Sequence, residues 1–127
     1  MADELAGKTI LVVDDDKDIL AAMQSSLSDL GAEIHTAGDG NMAITVAEQC
    51  QPDLILLDMM LPKRSGFLVL EKLKRGKAKT DPPLIVMITG NPGSRHKVYA
   101  ESQGVIQYIN KPFRMEYLVE TVRKLLA

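Results

Sequence analysis

The chain has 127 residues, 46% hydrophobic and 25% charged, with one cysteine and a net charge of −2 from 15 basic and 17 acidic side chains. That length predicts one globular domain burying roughly two-thirds of its unfolded surface, while the charge balance and lone Cys50 exclude a polycationic nucleic-acid binder and an intrachain disulfide framework. No run approaches the roughly 18 apolar residues of a membrane span, and the acidic start Met1–Gly7 lacks a signal-peptide pattern, so a soluble cytoplasmic protein with no membrane or direct nucleic-acid partner is expected.

Taken in order, short apolar runs alternate with helical patterns five times, the mark of a βα-repeating domain with a parallel sheet. Thr9–Val13 is the first predicted strand. Asp16 then stands as the N-cap of a helix whose Ile19, Leu20, Met23, Leu27 and Leu30 recur at helical spacing, with Gly31 as its C-cap. Glu33–Thr36 is a more polar strand and is predicted at an edge. A helix from about Asn41 to Cys50 stops before Pro52, and Leu54–Leu57 follows as a strand apolar enough to be covered on both faces. Gly66–Arg75 is predicted helical with Phe67, Leu70 and Leu73 inward, ending at Gly76, and Asp81-Pro82-Pro83 is a connector. Leu84–Ile88 is the fourth strand. The helix over 94–103 has poor periodicity, its only large apolar residues being Val98 and Tyr99, and Asn91-Pro92-Gly93 before it predicts an irregular start. Val105–Ile109 is the fifth strand, and a last helix after Pro112 turns Leu118, Val122 and Leu125 inward.

Five polar residues stand at the carboxyl ends of these strands: Asp14, Asp15, Asp58, Thr89 and Lys111. In a parallel sheet they gather at one edge. Bare carboxylates there repel, by about 1 kcal/mol per pair at 4 Å in water and about 4 kcal/mol at an effective dielectric of 20. A hard divalent cation relieves this, and Mg²⁺ takes oxygen ligands of this type. The same argument predicts that neutralising Asp14 or Asp15 stabilises the metal-free fold. Lys111 supplies a mobile positive charge, the Thr89 hydroxyl a hydrogen bond, and an aspartate can itself be the nucleophile of phosphoryl transfer. No Gly-rich phosphate loop follows the first strand, so a nucleotide is not expected as an obligatory ligand.

The segments Leu11-Val12-Val13-Asp14-Asp15-Asp16, Asp53 to Pro62 with Gly66, Ile88-Thr89-Gly90 and Tyr108-Ile109-Asn110-Lys111-Pro112-Phe113 together resemble the receiver domain of two-component response regulators, over essentially the whole chain. The resemblance implies a CheY-like, flavodoxin-like (βα)5 doubly wound fold with strand order 2-1-3-4-5, and residues 1–127 as a single receiver domain. The order reverses between the first and third strands, where ligands bind in such sheets. It implies Asp58 as phosphoacceptor, taking a phosphoryl group from a phosphohistidine on a sensor histidine kinase or histidine phosphotransfer protein. Asp15 and Asp58 would hold Mg²⁺ directly, Asp14 mainly through water, and the Met60 carbonyl would add an oxygen. Lys111 would pair with Asp58 and then with the phosphoryl group, Thr89 and Tyr108 would form the switch pair, and Lys111-Pro112 would be cis. The readout is expected on the face of the fourth helix, fifth strand and fifth helix, toward an output the sequence does not identify, with room for a phosphorylation-dependent homodimer. Such a protein is a signalling switch promoting its own phosphorylation and dephosphorylation, not an enzyme acting on a separate substrate.

The alternatives are a Mg²⁺-dependent phosphatase with an aspartyl-phosphate intermediate, a flavodoxin-like redox protein, and a receiver-like scaffold that is never phosphorylated. Haloacid-dehalogenase-like phosphatases carry a second acid two residues after the nucleophile, where this chain has Met60. The basic loop Lys63-Arg64 after Asp58 departs from the commoner small or acidic version and bears on the partner surface. Lys72, Lys74, Arg75, Lys77 and Lys79 read as a solvated helix end, His35 and His96 as surface residues, Cys50 as a small buried hydrophobe, and the methionines other than Met59 and Met60 as core fillers.

Overall fold

The computed structural model describes residues 4–61, 63, 65–90 and 94–126, the backbone alone for 94–96. Five strands and five helices alternate: β1 Thr9–Val13, α1 Lys17–Ser28, β2 Glu33–Ala37, α2 Gly40–Cys50, β3 Leu54–Asp58, α3 Gly66–Lys74, β4 Leu84–Thr89, α4 Ser94–Ser102, β5 Val105–Asn110 and α5 Met115–Leu126. One sheet runs β2-β1-β3-β4-β5, every neighbouring pair parallel, with polar β2 at an edge. This is the flavodoxin-like fold expected from the resemblance. Its order reverses between β1 and β3, which opens a crevice at the carboxyl ends of those strands.

Side chains alternate across a strand, and here both faces are apolar. Ile10, Val12, Leu54, Leu56, Val86, Ile88 and Ile109 meet Met23 and Leu27 of α1 and Leu118, Val122 and Leu126 of α5. Leu11, Val13, Ile55, Leu57, Ile85 and Met87 meet α2 through Ala43, Ile44 and Ala47, α3 through Val69 and Leu70, and α4 through Ala100. Each fully buried Leu or Ile contributes about 1.5–3 kcal/mol, so the double coverage explains why the central strands are apolar at successive positions. No helix among the described residues is long and apolar enough to cross a membrane.

The helix starts follow their caps. Asp16 accepts from the Asp18 and Ile19 N–H groups at 2.9 and 3.2 Å, and Asp39 accepts from Met42 at 2.8 Å. The ends differ more from expectation. Asp29, not Gly31, is the C-cap of α1, and Gly31 follows with φ +89° in the turn toward β2. Strands β2 to β5 each run one residue further than predicted, because the ladder continues through Asp58 opposite Ile88 and Thr89 opposite Asn110. Lys111-Pro112 is cis, as is Pro82-Pro83.

Four smaller expectations need correction. Lys74 is not solvated: it is 3% exposed, and its Nζ donates to the Ala78, Asp81 and Pro83 carbonyls at 2.7, 2.7 and 3.2 Å. Burial pulls its ammonium below the usual lysine range. Met42 is exposed rather than a core filler, because it lies on the outer side of α2. Cys50 is only half-buried, at the open end of that helix. His35 is half-buried, with its Nε2 2.8 Å from Glu33 Oε2 on the same strand. The turn-rich Asn91-Pro92-Gly93, together with Pro62, Arg64 and the His96 side chain, lies outside the described residues.

Candidate functional site

The sheet register brings the sequence-distant residues together. Val13 is opposite Leu57, so Asp14, one residue on, stands beside Asp58. The Lys111 N–H donates to the Thr89 carbonyl at 2.7 Å and the Met59 N–H to the Ile88 carbonyl at 2.9 Å, extending the ladder past the strand ends. Strand alternation then sorts the side chains. Asp14 continues the parity of Ile10 and Val12, Asp58 that of Leu54 and Leu56, and Lys111 that of Ile109, all facing α1 and α5. Thr89 continues the parity of Ile85 and Met87, and Tyr108 packs on that same opposite face. The charged trio and the hydroxyl pair thus occupy two sides of one sheet edge.

Asp14 and Asp58 are buried, whereas Asp15 is exposed. Lys111 Nζ donates to Asp14 Oδ2 at 3.0 Å and to Asp58 Oδ2 at 3.3 Å. The other oxygen of each buried carboxylate accepts a backbone N–H two residues on: Asp16 to Asp14 Oδ1 at 2.9 Å, and Met60 to Asp58 Oδ1 at 3.1 Å. The expected Lys111–Asp58 pair is therefore a bridge across two carboxylates, with Asp14 the nearer. Burial pushes the Asp58 carboxyl above its usual range and the Asp14 charge adds to this, against the opposing Met60 N–H and Lys111. Burial alone would lower the Lys111 ammonium, but the Asp14 hydrogen bond and both carboxylate charges outweigh it and hold it above the usual lysine range.

One oxygen from each of Asp14, Asp15 and Asp58 lies within 4.8 Å of the others. This is an acidic pocket compatible with a hard cation, since every donor is a carboxylate oxygen. On the other side of the sheet edge Thr89 is fully buried, close to the half-buried Tyr108. Burial pushes the Tyr108 phenol up, and the nearby Thr89 hydroxyl works against the shift. All the site residues proposed from the sequence are thus gathered at one end of the sheet, with Met60 held through its N–H and its side chain exposed.

Gly66, part of a motif in the sequence, has a physical role in the structure. A Cβ on Gly66 would lie 2.5 Å from the Asp58 carbonyl oxygen and 2.7 Å from Met59 Cα. Its N–H donates to the Met59 carbonyl at 2.9 Å, so the first residue of α3 is seated directly on the strand end that carries Asp58. The Phe67–Tyr99 ring pair was also missed. Aromatic residues at a helix start and on an otherwise polar helix were the only signal for it.

The family model for the response regulator receiver domain matches residues 10–123. The chain belongs to that family. It is 38% identical over 117 residues to the DNA-binding dual master transcriptional regulator RpaA of Synechocystis sp., covering 92% of this chain and 48% of RpaA. Against the phosphate regulon transcriptional regulatory protein PhoB of Pseudomonas aeruginosa it is 37% identical over 122 residues, 96% of this chain and 53% of PhoB. The CheY-like receiver domain protein from Methanospirillum hungatei superposes with a TM-score of 0.82 at 30% identity, covering 94% of this chain and 93% of that one. The chain spans about half the length of the curated relatives it matches. As a receiver domain of two-component signalling it is a phosphoacceptor switch, of the kind found in transcriptional regulators such as RpaA and PhoB.

Proposed function

We propose that Asp58 is the phosphoacceptor, and that residues 1–127 act as one receiver unit in a two-component phosphorelay. The observation that carries this is a buried carboxylate at a strand end, bridged by Lys111 to a second buried carboxylate, with a third beside it. A phosphohistidine on a sensor kinase or phosphotransfer protein is the donor that suits this acceptor. An Asp58 carboxylate oxygen attacks phosphorus, the P–N bond breaks, and the electron pair leaves with the imidazole. Lys111 is close enough to follow the charge onto the phosphoryl oxygens, leaving Asp14 to hold its other side. Water attack on the acyl phosphate returns Asp58.

The three-carboxylate pocket fits Mg²⁺, which Asp15, Asp58 and the Met60 carbonyl would hold, with Asp14 acting mainly through water. Bound there, it would neutralise charge on the transferred group. Thr89 donates its hydroxyl toward the phosphoryl group when the switch turns, and Tyr108, close beside it on the same face, follows. The readout face is α4, β5 and α5, the cellular setting is the cytoplasm, and the partner beyond the donor is an output module or a second receiver. A phosphatase reading is disfavoured by exposed Met60, which stands where a second acid would be needed.

The test is intact mass after treatment with a small phosphodonor and Mg²⁺. Wild type gains one phosphoryl unit and Asp58→Asn gains none. Equal gain in the two proteins, or none in wild type, overturns the assignment.

A further inference from the structure

Resting on the assignment of Asp58, we infer that the Phe67–Tyr99 ring contact is a second coupling element, carrying a change at Asp58 into α4 alongside the Thr89–Tyr108 pair. Gly66 is pressed against the Asp58 carbonyl and the Met59 backbone so closely that no Cβ fits between them. Its N–H is tied to the Met59 carbonyl, and Ser65 closes the turn by accepting from the Leu68 N–H at 3.3 Å. A shift of the β3 end therefore moves the start of α3 with it, because backbone packed on backbone has no soft side chain to absorb the movement. Phe67 is the next residue. Its ring packs on the same core face as Tyr108 and meets the Tyr99 ring edge-on, with centroids 5.1 Å apart and planes at 83°.

Helix α4 lies chiefly against β5, and few of its described side chains point inward. Among its described side chains only Ala100 is buried, while Lys97, Val98, Tyr99, Glu101 and Ser102 are exposed. An edge-on aromatic pair is among the stronger contacts available to such a helix. Two routes thus leave the site: Thr89 to Tyr108 on β5, beneath α4, and Gly66 to Phe67 and on to Tyr99, on α4 itself. Coupling of this kind is a free energy between two positions and shows itself as non-additivity.

The experiment is amide hydrogen exchange of α4 residues 97–102 in wild type, Phe67→Leu, Tyr99→Leu, the double variant and Tyr99→Phe. Before phosphorylation, each Leu substitution is expected to speed α4 exchange by roughly 2- to 10-fold. The double variant should be no faster than the worse single one, and Tyr99→Phe, which keeps the ring, should match wild type. Asp58→Asn then perturbs the site without any phosphodonor: it alters α4 exchange in the wild-type background and has less effect in Tyr99→Leu. On phosphorylation, Asp58 labels at an unchanged rate in the Leu variants while the α4 response shrinks. Unchanged exchange in both Leu variants, additive effects in the double, or a full response to Asp58→Asn in Tyr99→Leu overturns the proposal. Failure of wild type to phosphorylate would overturn only the assignment of Asp58, because the Asp58→Asn cycle still decides the contact.

Discussion

Replacing Lys111 with Met keeps the apolar stem of the side chain and removes its charge. Its Nζ stands 3.0 Å from Asp14 and 3.3 Å from Asp58, both buried. At an effective dielectric of 20 each contact amounts to about 5 kcal/mol of Coulomb attraction, and the two carboxylates repel by about 3–4 kcal/mol if their oxygens lie near 4.8 Å. Desolvation consumes much of the attraction, so the expected loss follows the measured range for stripping one partner from a buried pair, about 3–5 kcal/mol. The Lys111 side chain is 23% exposed, which argues for about 3 kcal/mol at the lower end. Urea unfolding at neutral pH in chelator measures this, and the signature lies in its pH dependence. Without Lys111, which holds the Asp58 carboxyl down against burial, Asp58 gains its proton at higher pH, so the penalty should shrink as pH falls toward the ordinary carboxylate range, about 4. Added Mg²⁺ should stabilise the variant more than wild type. A variant as stable as wild type at neutral pH, or a penalty that does not change with pH, would refute the electrostatic reasoning.

Four further expectations follow from the same geometry. Because burial raises the folded-state Asp58 carboxyl above its unfolded value, Asp58 loses stability as pH rises through the ordinary carboxylate range and beyond. Asp58→Asn in chelator should therefore be the more stable protein at neutral pH, with the advantage fading in acid, as urea titrations at several pH values can check. Asp15→Asn should be mildly stabilising without metal, but Asp14→Asn should lower the melting temperature, since it weakens the shorter Lys111 contact. Gly66→Ala should cost about 1–3 kcal/mol by overpacking against the β3 backbone and should slow phosphodonor labelling, read by denaturation and by mass. Lys74→Met should cost about 1–3 kcal/mol by stripping three loop carbonyls of their donor, with labelling of Asp58 unaffected.

The strands were legible because double coverage demands unbroken apolar runs, and β1 falls on Thr9–Val13 as read. The edge position of β2 followed from its polarity. The gathering of the candidate residues was legible because strand ends in a parallel sheet share one edge, and the roles proposed for them come from family resemblance. What the sequence hid was mostly pairing. Asp14 and Asp58 are chemically alike, and only the register shows that Lys111 reaches both, which reverses the predicted effect of neutralising Asp14. Lys74 looked like one cation in a basic run, although its place one turn after Leu70 puts it on the buried stripe of α3. The sidedness of Thr89 and Tyr108 against the charged trio was implicit in strand parity and needed exact strand ends to be read.

Trapping the acyl phosphate where it forms tests whether Asp58 is the phosphoacceptor. After labelling with phosphodonor and Mg²⁺, borohydride reduction converts a phosphorylated aspartate to homoserine, and peptide mass mapping reports its position. Homoserine is expected at residue 58 alone. Homoserine at Asp14 or Asp15, or an unmodified residue 58 in protein that has gained phosphoryl mass, would contradict that assignment.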